Sequence, residues 1–429
     1  YMPINSNPFK NLTILLLFSV CFLLYSVPVS GQSSFDFRSE TIFSIFERDT
    51  EKQSDSLVMP IYEYLQFDFG NLEGDGLSLH FNGWGRIDSG DSGFYKDDPD
   101  GAVLYAFLEY INSSLNLRAR LGRQKIINGV TTDSVEGIWI SSTPIPWLGF
   151  SAYGGLPVAL QSAEDRNDDI TWGARMFHRL AAYYEVGLSY KIITGDLGED
   201  DERLGVDLFL SLPGHASLSG FSSQNLVTGG WGDHSYEITF YLNDLYLKPY
   251  YQRISYEDFF NSGSISARPF RFLSDTGEIL NLYGGEVTWQ FSGGLDISAK
   301  YNYYDYQIRE ETATYFGGLL NGSVGKALLG AEIGLMDGKT AENRYMLTRT
   351  FFYWNRPLKL LNKGMLTGDI VYVLYDEKIF NKSSSLFASL GAGRRFLQDK
   401  LELRFSGQYS SDPFFDSDLR AMVKVILKL

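Results

Sequence analysis

One feature of this chain limits its possible folds more than any other: apolar and polar side chains alternate with a period of two, over about ten residues at a time and from end to end. In Leu295 to Tyr303 every odd position is apolar or aromatic, while Asp296, Ser298, Lys300 and Asn302 fill the even ones. Leu419 to Leu429 repeats the pattern, with Arg420, Lys424 and Lys428 on the second face. Leu401 to Tyr409, Leu115 to Leu121 and Leu204 to Leu212 follow it too. A period of two belongs to a strand whose faces meet different surroundings. Strands of soluble proteins average ~5–6 residues, whereas ~9–11 tilted residues cross a bilayer.

Lipid offers no partner to a backbone N–H or C=O, so a membrane span built of strands must close on itself. The expected fold is therefore all-β: a transmembrane antiparallel up-and-down β-barrel. Twenty-one such segments can be marked between Phe35 and Leu429. Single-chain bacterial barrels have even strand numbers, so we expect 20 strands, with 22 as the fallback. Short turns such as Asn243-Asp244 and Ser292-Gly293-Gly294 alternate with longer loops as far as Val324, where the phase slips. Aromatic pairs near segment ends, among them Tyr62 with Tyr64 and Tyr250 with Tyr251, are read as interfacial girdles.

Ahead of these segments, Leu12 to Val27 is almost wholly apolar, follows Lys10, and ends in the small residues Ser30 and Gly31. This is the pattern of a secretory signal peptide. We expect residues 1–31 to be removed near Gln32, leaving 32–429 as one barrel domain. The single Cys, Cys21, lies in that run, so the exported chain would form no disulfide.

The balance of 37 Lys+Arg against 52 Asp+Glu, with no basic block, excludes a nucleic-acid binder, which needs clustered cations. Catalysis has little support. His80, His178, His215 and His234 are scattered, and neither H-E-x-x-H nor G-x-S-x-G occurs. No C-x-x-C-H is present to attach haem. We therefore expect no cofactor and no metal centre. Acidic clusters (Asp88, Asp91, Asp97, Asp98, Asp100; Glu164, Asp165, Asp168, Asp169; Glu199, Asp200, Asp201, Glu202; Asp412, Asp416, Asp418) are read as solvated loops facing lipopolysaccharide, with cation binding as the sharper alternative.

With apolar positions facing lipid, the opposite parity lines the interior. It places Arg86, Arg118, Arg120, Arg175, Lys300, Arg404, Arg420 and Lys424 there, among acids such as Glu109, Asp207 and Glu402. Lys125 to Thr143 reads as a long connection, since Asn128-Gly129, Pro144 and Pro146 favour turns. Part of it is expected to fold into the lumen as a constriction, with Asp133 and Glu136 facing Arg118 and Arg120. An outward loop, or one more hairpin including Gly137 to Ile140, is the other reading of that stretch.

The alternation over the whole mature length resembles a Gram-negative outer-membrane barrel of porin type. Leu117-Arg118-Ala119-Arg120-Leu121-Gly122-Arg123-Gln124, followed by Gly129, is similar to a strand end seen in several porin-like families. The resemblance implies an outer-membrane location, handling by the outer-membrane assembly machinery, and passive diffusion of small hydrophilic solutes or ions. Members usually end in Phe, where this chain ends Lys428-Leu429. A second reading is a sheath housing a multihaem cytochrome for electron transfer across the outer membrane.

Overall fold

The computed structural model describes residues 34–48, 56–91, 93–158, 169–180, 182–194, 200–260, 277–355, 363–414 and 417–429, so the segment read as a signal peptide lies outside it. All described strands form one antiparallel sheet that closes on itself. In chain order they are β1 (Ser34–Arg48), β2 (Ser56–Val58 and Pro60–Gly70, interrupted at Met59), β3 (Gly76–Asp88), β4 (Asp100–Asn112), β5 (Leu117–Asn128), β6 (Thr131–Ile145), β7 (Leu148–Pro157), β8 (Ile170–Leu180), β9 (Tyr184–Thr194), β10 (Asp201–Leu212) and β11 (Ala216–Asn225). The second half comprises β12 (Trp231–Leu242), β13 (Leu245–Ser255), β14 (Ile279–Phe291), β15 (Leu295–Tyr306), β16 (Glu311–Val324), β17 (Ala327–Asp337), β18 (Tyr345–Asn355), β19 (Gly364–Ile379), β20 (Lys382–Phe396), β21 (Leu401–Ser411) and β22 (Asp418–Lys428), with one short helix, α1 (Tyr256–Phe260), after β13. Each strand pairs with its neighbours in sequence, and β22 pairs with β1 from Arg38↔Lys428 to Phe46↔Arg420, which closes the barrel.

The barrel has 22 strands, the fallback number rather than the favoured 20. β16 is the segment that the alternation missed. Gly317-Gly318 followed by Leu319-Leu320 erases the period in mid-strand, although its pairing with β15 and β17 is continuous. The slip in loop phase also has a local cause. β18 ends at Asn355 and β19 begins at Gly364, at the end of the barrel where successive strands otherwise follow after short turns, whereas Phe380-Asn381 makes a tight turn at the other end. Both turn residues take positive φ, 44° and 68°, as the mirror-image hairpin turns require.

The outer wall carries the apolar parity. Leu121, Leu188, Ile297, Ile333, Ile370, Leu390, Phe405 and Leu419 are exposed there. In a soluble protein such a surface would aggregate; in lipid it is the solvated state. Among the described residues no helix is long and apolar enough to cross a membrane, and the crossings are made by strands. The girdle reading needs correction. Tyr251, Tyr301 and Tyr303 share the outer parity, but Tyr62, Tyr64, Tyr250, Tyr304 and Tyr306 stand on the lumen parity. Nearness to a strand end does not fix a face; register does.

Candidate channel lumen and constriction

The alternation puts ionisable side chains on the inner face, and neighbouring strands bring opposite charges level with one another. Glu109 of β4 accepts from Arg120 at 2.6 Å and lies 3.2 Å from Arg118, both on β5. Arg120 is also stacked between the rings of Phe107 and Trp139. Arg175 of β8 bonds Asp207 at 3.0 Å and Glu185 at 2.8 Å. Arg86 lies 3.4 Å from Asp100 and over the Tyr95 ring. Glu402 is shared by Arg404 and Arg395, Lys424 reaches Glu40 at 2.5 Å, and Arg420 lies 3.7 Å from Asp418. Lys300 lies 5.9 Å from the centre of the Tyr250 ring. All eight cations expected at the lumen thus share the face opposite the exposed apolar band. The alternation could not reveal that seven of them stand within ion-pair distance of a carboxylate, since partners sit on other strands. The wall is charge-compensated rather than a free cationic surface.

The stretch expected to be a long connection is instead a hairpin. β5 and β6 pair without a break from Leu117↔Ser142 to Asn128↔Thr131, leaving Gly129 and Val130 as the turn. The prolines deny the sheet two amide donors only at the far end of β6, beyond Thr143. Above Arg123, β5 no longer pairs with β4. The freed tip leans across the inner face of β7 and β8 and reaches β9 and β10, to which β5 and β6 are not hydrogen-bonded neighbours.

Several contacts hold the tip there. The amide of Val130 donates to the Ser189 hydroxyl at 3.1 Å. A Cβ at Gly205 would collide with the Val130 side chain, so β10 needs glycine at that point. Ile126, Val135 and Tyr153 make a small buried cluster beneath the hairpin, with Trp139 packed against it. Beside it Lys191 of β9 bonds Asp133 at 2.7 Å and Asp201 at 2.9 Å, and Arg203 bonds Asp201 at 2.8 Å. The side chains of Lys191, Asp133 and Asp201 are 3%, 4% and 0% exposed. Arg203 also donates to the carbonyl of Phe259 in α1 at 2.8 Å, which ties the rim loop to the same cluster.

The two constriction candidates are therefore placed differently from expectation. Asp133 is on the hairpin but faces Lys191, because the lean of the tip turns it toward β9 and away from Arg118 and Arg120. Glu136 bonds Arg123, its cross-strand partner. Lys191 escaped the sequence reading, Arg203 stands on the polar face that the alternation gave it, and Asp201, read as a solvated loop acid, instead opens β10 with its side chain fully buried. One signal was present: small lumen-parity residues, Gly173, Ser189 and Gly205, surround Lys191 and leave room on the wall for something to lie against it. Along the edge of the tip runs a groove of about 520 Å³, with Arg175, Asp207, Phe221 and Glu237 on its wall side.

Glu164, Asp165, Asp168, Glu199 and Asp416 of the acidic clusters lie outside the described residues. Among the described residues no three acids or histidines come together as metal ligands.

The chain matches no family model and no curated protein. Among solved structures it is similar to OccAB4 of Acinetobacter baumannii, at 10% identity over 94% of this chain and 100% of that one, with a TM-score of 0.47. It is similar to OccAB2 of the same organism at 10% identity, 93% and 98% coverage and TM-score 0.46. For OpdQ of Pseudomonas aeruginosa the values are 9%, 93%, 99% and 0.45. Likeness at this level carries no inference about function, which rests on the barrel itself.

Proposed function

We propose that this chain forms a passive, water-filled channel in the outer membrane of a Gram-negative bacterium and admits small hydrophilic solutes or ions. The observation that carries this is the inward hairpin set against a polar, charge-compensated wall. Barrels of ~16–18 strands already enclose an aqueous channel, so 22 strands leave a lumen wider than wall side chains can fill. The β5–β6 tip narrows it from one side, and its buried anchors hold the narrowing in a fixed place. Paired charges hydrate the wall without making a deep well for ions of either sign. Asp133 then serves to pin the constriction, and the arginines of β5 and β8 to line it. The tip occupies lumen that a cytochrome filling the barrel would need, so the sheath reading is set aside, and no catalytic role is proposed. Purified protein in planar bilayers should show stepwise ion conductance, and liposomes containing it should swell in small hydrophilic solutes. A folded barrel that does neither would remove this reading.

A further inference from the structure

The lumen holds a second ordered feature, on the wall away from the hairpin. Strand register places Tyr250 opposite Gly284, and Gly284 opposite Asn302. Asn302 stands opposite Tyr315, and Tyr315 opposite Met336. Met336 stands opposite Tyr345, and Tyr345 opposite Tyr375. One row across seven strands, β13 to β19, thus carries four tyrosines and no ionised side chain. Barrel strands tilt by ~35–45°, so a row perpendicular to them climbs along the pore. Six strand spacings of ~4.8 Å give roughly 17–20 Å of rise at that tilt, against an apolar band ~25 Å tall. The row is a ramp along the direction of passage.

Two of the rings, Tyr250 and Tyr315, lie down on the wall. A Cβ at Gly284 would collide with the Tyr250 ring, and one at Gly317 or Gly334 would collide with Tyr315. Glycine at these places lets each ring rest on the backbone with its other face toward the lumen. Polar groups accompany the rings: Tyr250 donates to Asn302, Asn302 donates to Tyr304 at 2.9 Å, and at the end of the row the Tyr375 hydroxyl lies 2.9 Å from that of Ser385 on β20. Tyr345 and Tyr375 meet edge to face at 6.4 Å.

We infer that this ramp is a binding track for neutral saccharides; the inference rests on the channel reading and names its substrate class. A pyranose presents a C–H face that packs on an aromatic ring and equatorial hydroxyls that bond groups such as the phenol and Asn302. The row itself carries no charge, and the charges beside it, Lys300 near the Tyr250 ring and Glu332 beside Tyr315, are of opposite sign, so neither an anion nor a cation finds a continuous path along it. A purely apolar solute would displace water from the phenols and Asn302 and offer their remaining donor and acceptor positions nothing in return. Successive rings along the climb let a chain of sugars pass from one to the next without leaving the wall.

The test uses the purified barrel in planar bilayers with maltohexaose as probe and poly(ethylene glycol) of equal hydrodynamic size as control. The expected result is ion conductance interrupted by maltohexaose in a saturable way, with no saturable block by the polymer. Tyr315→Ala with Tyr345→Ala should still conduct ions while saccharide block weakens at least tenfold. If that variant assembles poorly, Tyr345→Leu with Tyr375→Leu keeps the bulk, removes the ring faces and carries the same expectation. Ion conductance with equal effects of sugar and polymer, or variants that block like the parent, would overturn the track and leave the channel standing. Absence of ion conductance would overturn the channel reading instead.

Discussion

Replacing Lys191 by Met removes the cation between Asp133 and Asp201 and leaves the backbone untouched. Asp201 keeps Arg203, whereas Asp133, 4% exposed, loses the cation bonded to it at 2.7 Å. Deleting one member of a buried pair costs ~3–5 kcal/mol, mostly from the stranded charge. At ~1.4 kcal/mol per tenfold, the ratio of pinned to released hairpin should fall by roughly 10² to 10³ or more. Against release stand Ile126 and Val135, 2% and 1% exposed, each worth ~1.5–3 kcal/mol when fully buried. The terms nearly balance, so the outcome is not a permanently open pore. Single channels of Lys191→Met should switch between the parental conductance and a larger one. Lys191→Met with Asp133→Leu removes both charges and should restore a quiet current. Glu136→Gln, at a carboxylate 45% exposed, should change the pinning by about 1 kcal/mol or less. Gly205→Val tests the same tip by bulk alone and should also raise conductance. If folded Lys191→Met channels were as steady as the parent, the cluster would not be what holds the constriction.

Three further outcomes follow from the wall and its rim. Val423→Arg, on the lipid parity, should cost ~2–4 kcal/mol near the midplane. Lys424→Gln beside it should cost about 1 kcal/mol or less, because its pair with Glu40 is partly exposed; equal losses in urea unfolding from lipid vesicles would mean the parity is wrong. Glu109→Gln frees two arginines, and one unit of charge ~7 Å from a passing ion is worth ~0.6 kcal/mol in water. Chloride gains and potassium loses by that amount, so the chloride-to-potassium permeability ratio should rise roughly sevenfold, and an unshifted reversal potential would count against a lumenal Glu109. At the rim, burial disfavours the charge on Glu278, but N–H groups of Ile308, Arg309 and Ile279 and the Arg309 guanidinium hold its carboxyl below the ordinary value of 4.5. A lowered value means that its contribution is complete above pH 4.5 and disappears as pH falls through the depressed value. Protease cutting at 307–310 should accelerate across that range in the parent, and already be fast at neutral pH in Glu278→Gln.

The wall was legible because lipid and water impose a period on every crossing, and each cation assigned to the interior by parity shares the inner face. What parity could not supply was anything set by the third dimension. Asp133 and Lys191 are 58 residues apart and three strands away around the wall, so no local pattern joins them. Gly317-Gly318 hid β16 because a glycine has no side chain to carry the period, yet Gly317 makes room for the Tyr315 ring. Five of the tyrosines assigned to girdles, Tyr62, Tyr64, Tyr250, Tyr304 and Tyr306, were misplaced for a related reason. A phenol suits both a membrane interface and a wet wall, and only pairing with the next strand decides between them.

The seam between β1 and β22 joins the two ends of the sheet and carries two ion pairs, Glu40 with Lys424 and Arg48 with Asp418. A one-residue slip there would turn every side chain of one strand to the wrong face. A two-residue slip would keep the faces correct and pass unnoticed by hydrophobicity. It would not keep both ion pairs as they are: one direction sets Glu40 four positions out of step with Lys424, and the other moves Asp418 from opposite Arg48 to a diagonal. The last hydrogen bonds made during assembly are thus proofread by charge, and an incorrectly zipped cylinder is penalised where it closes.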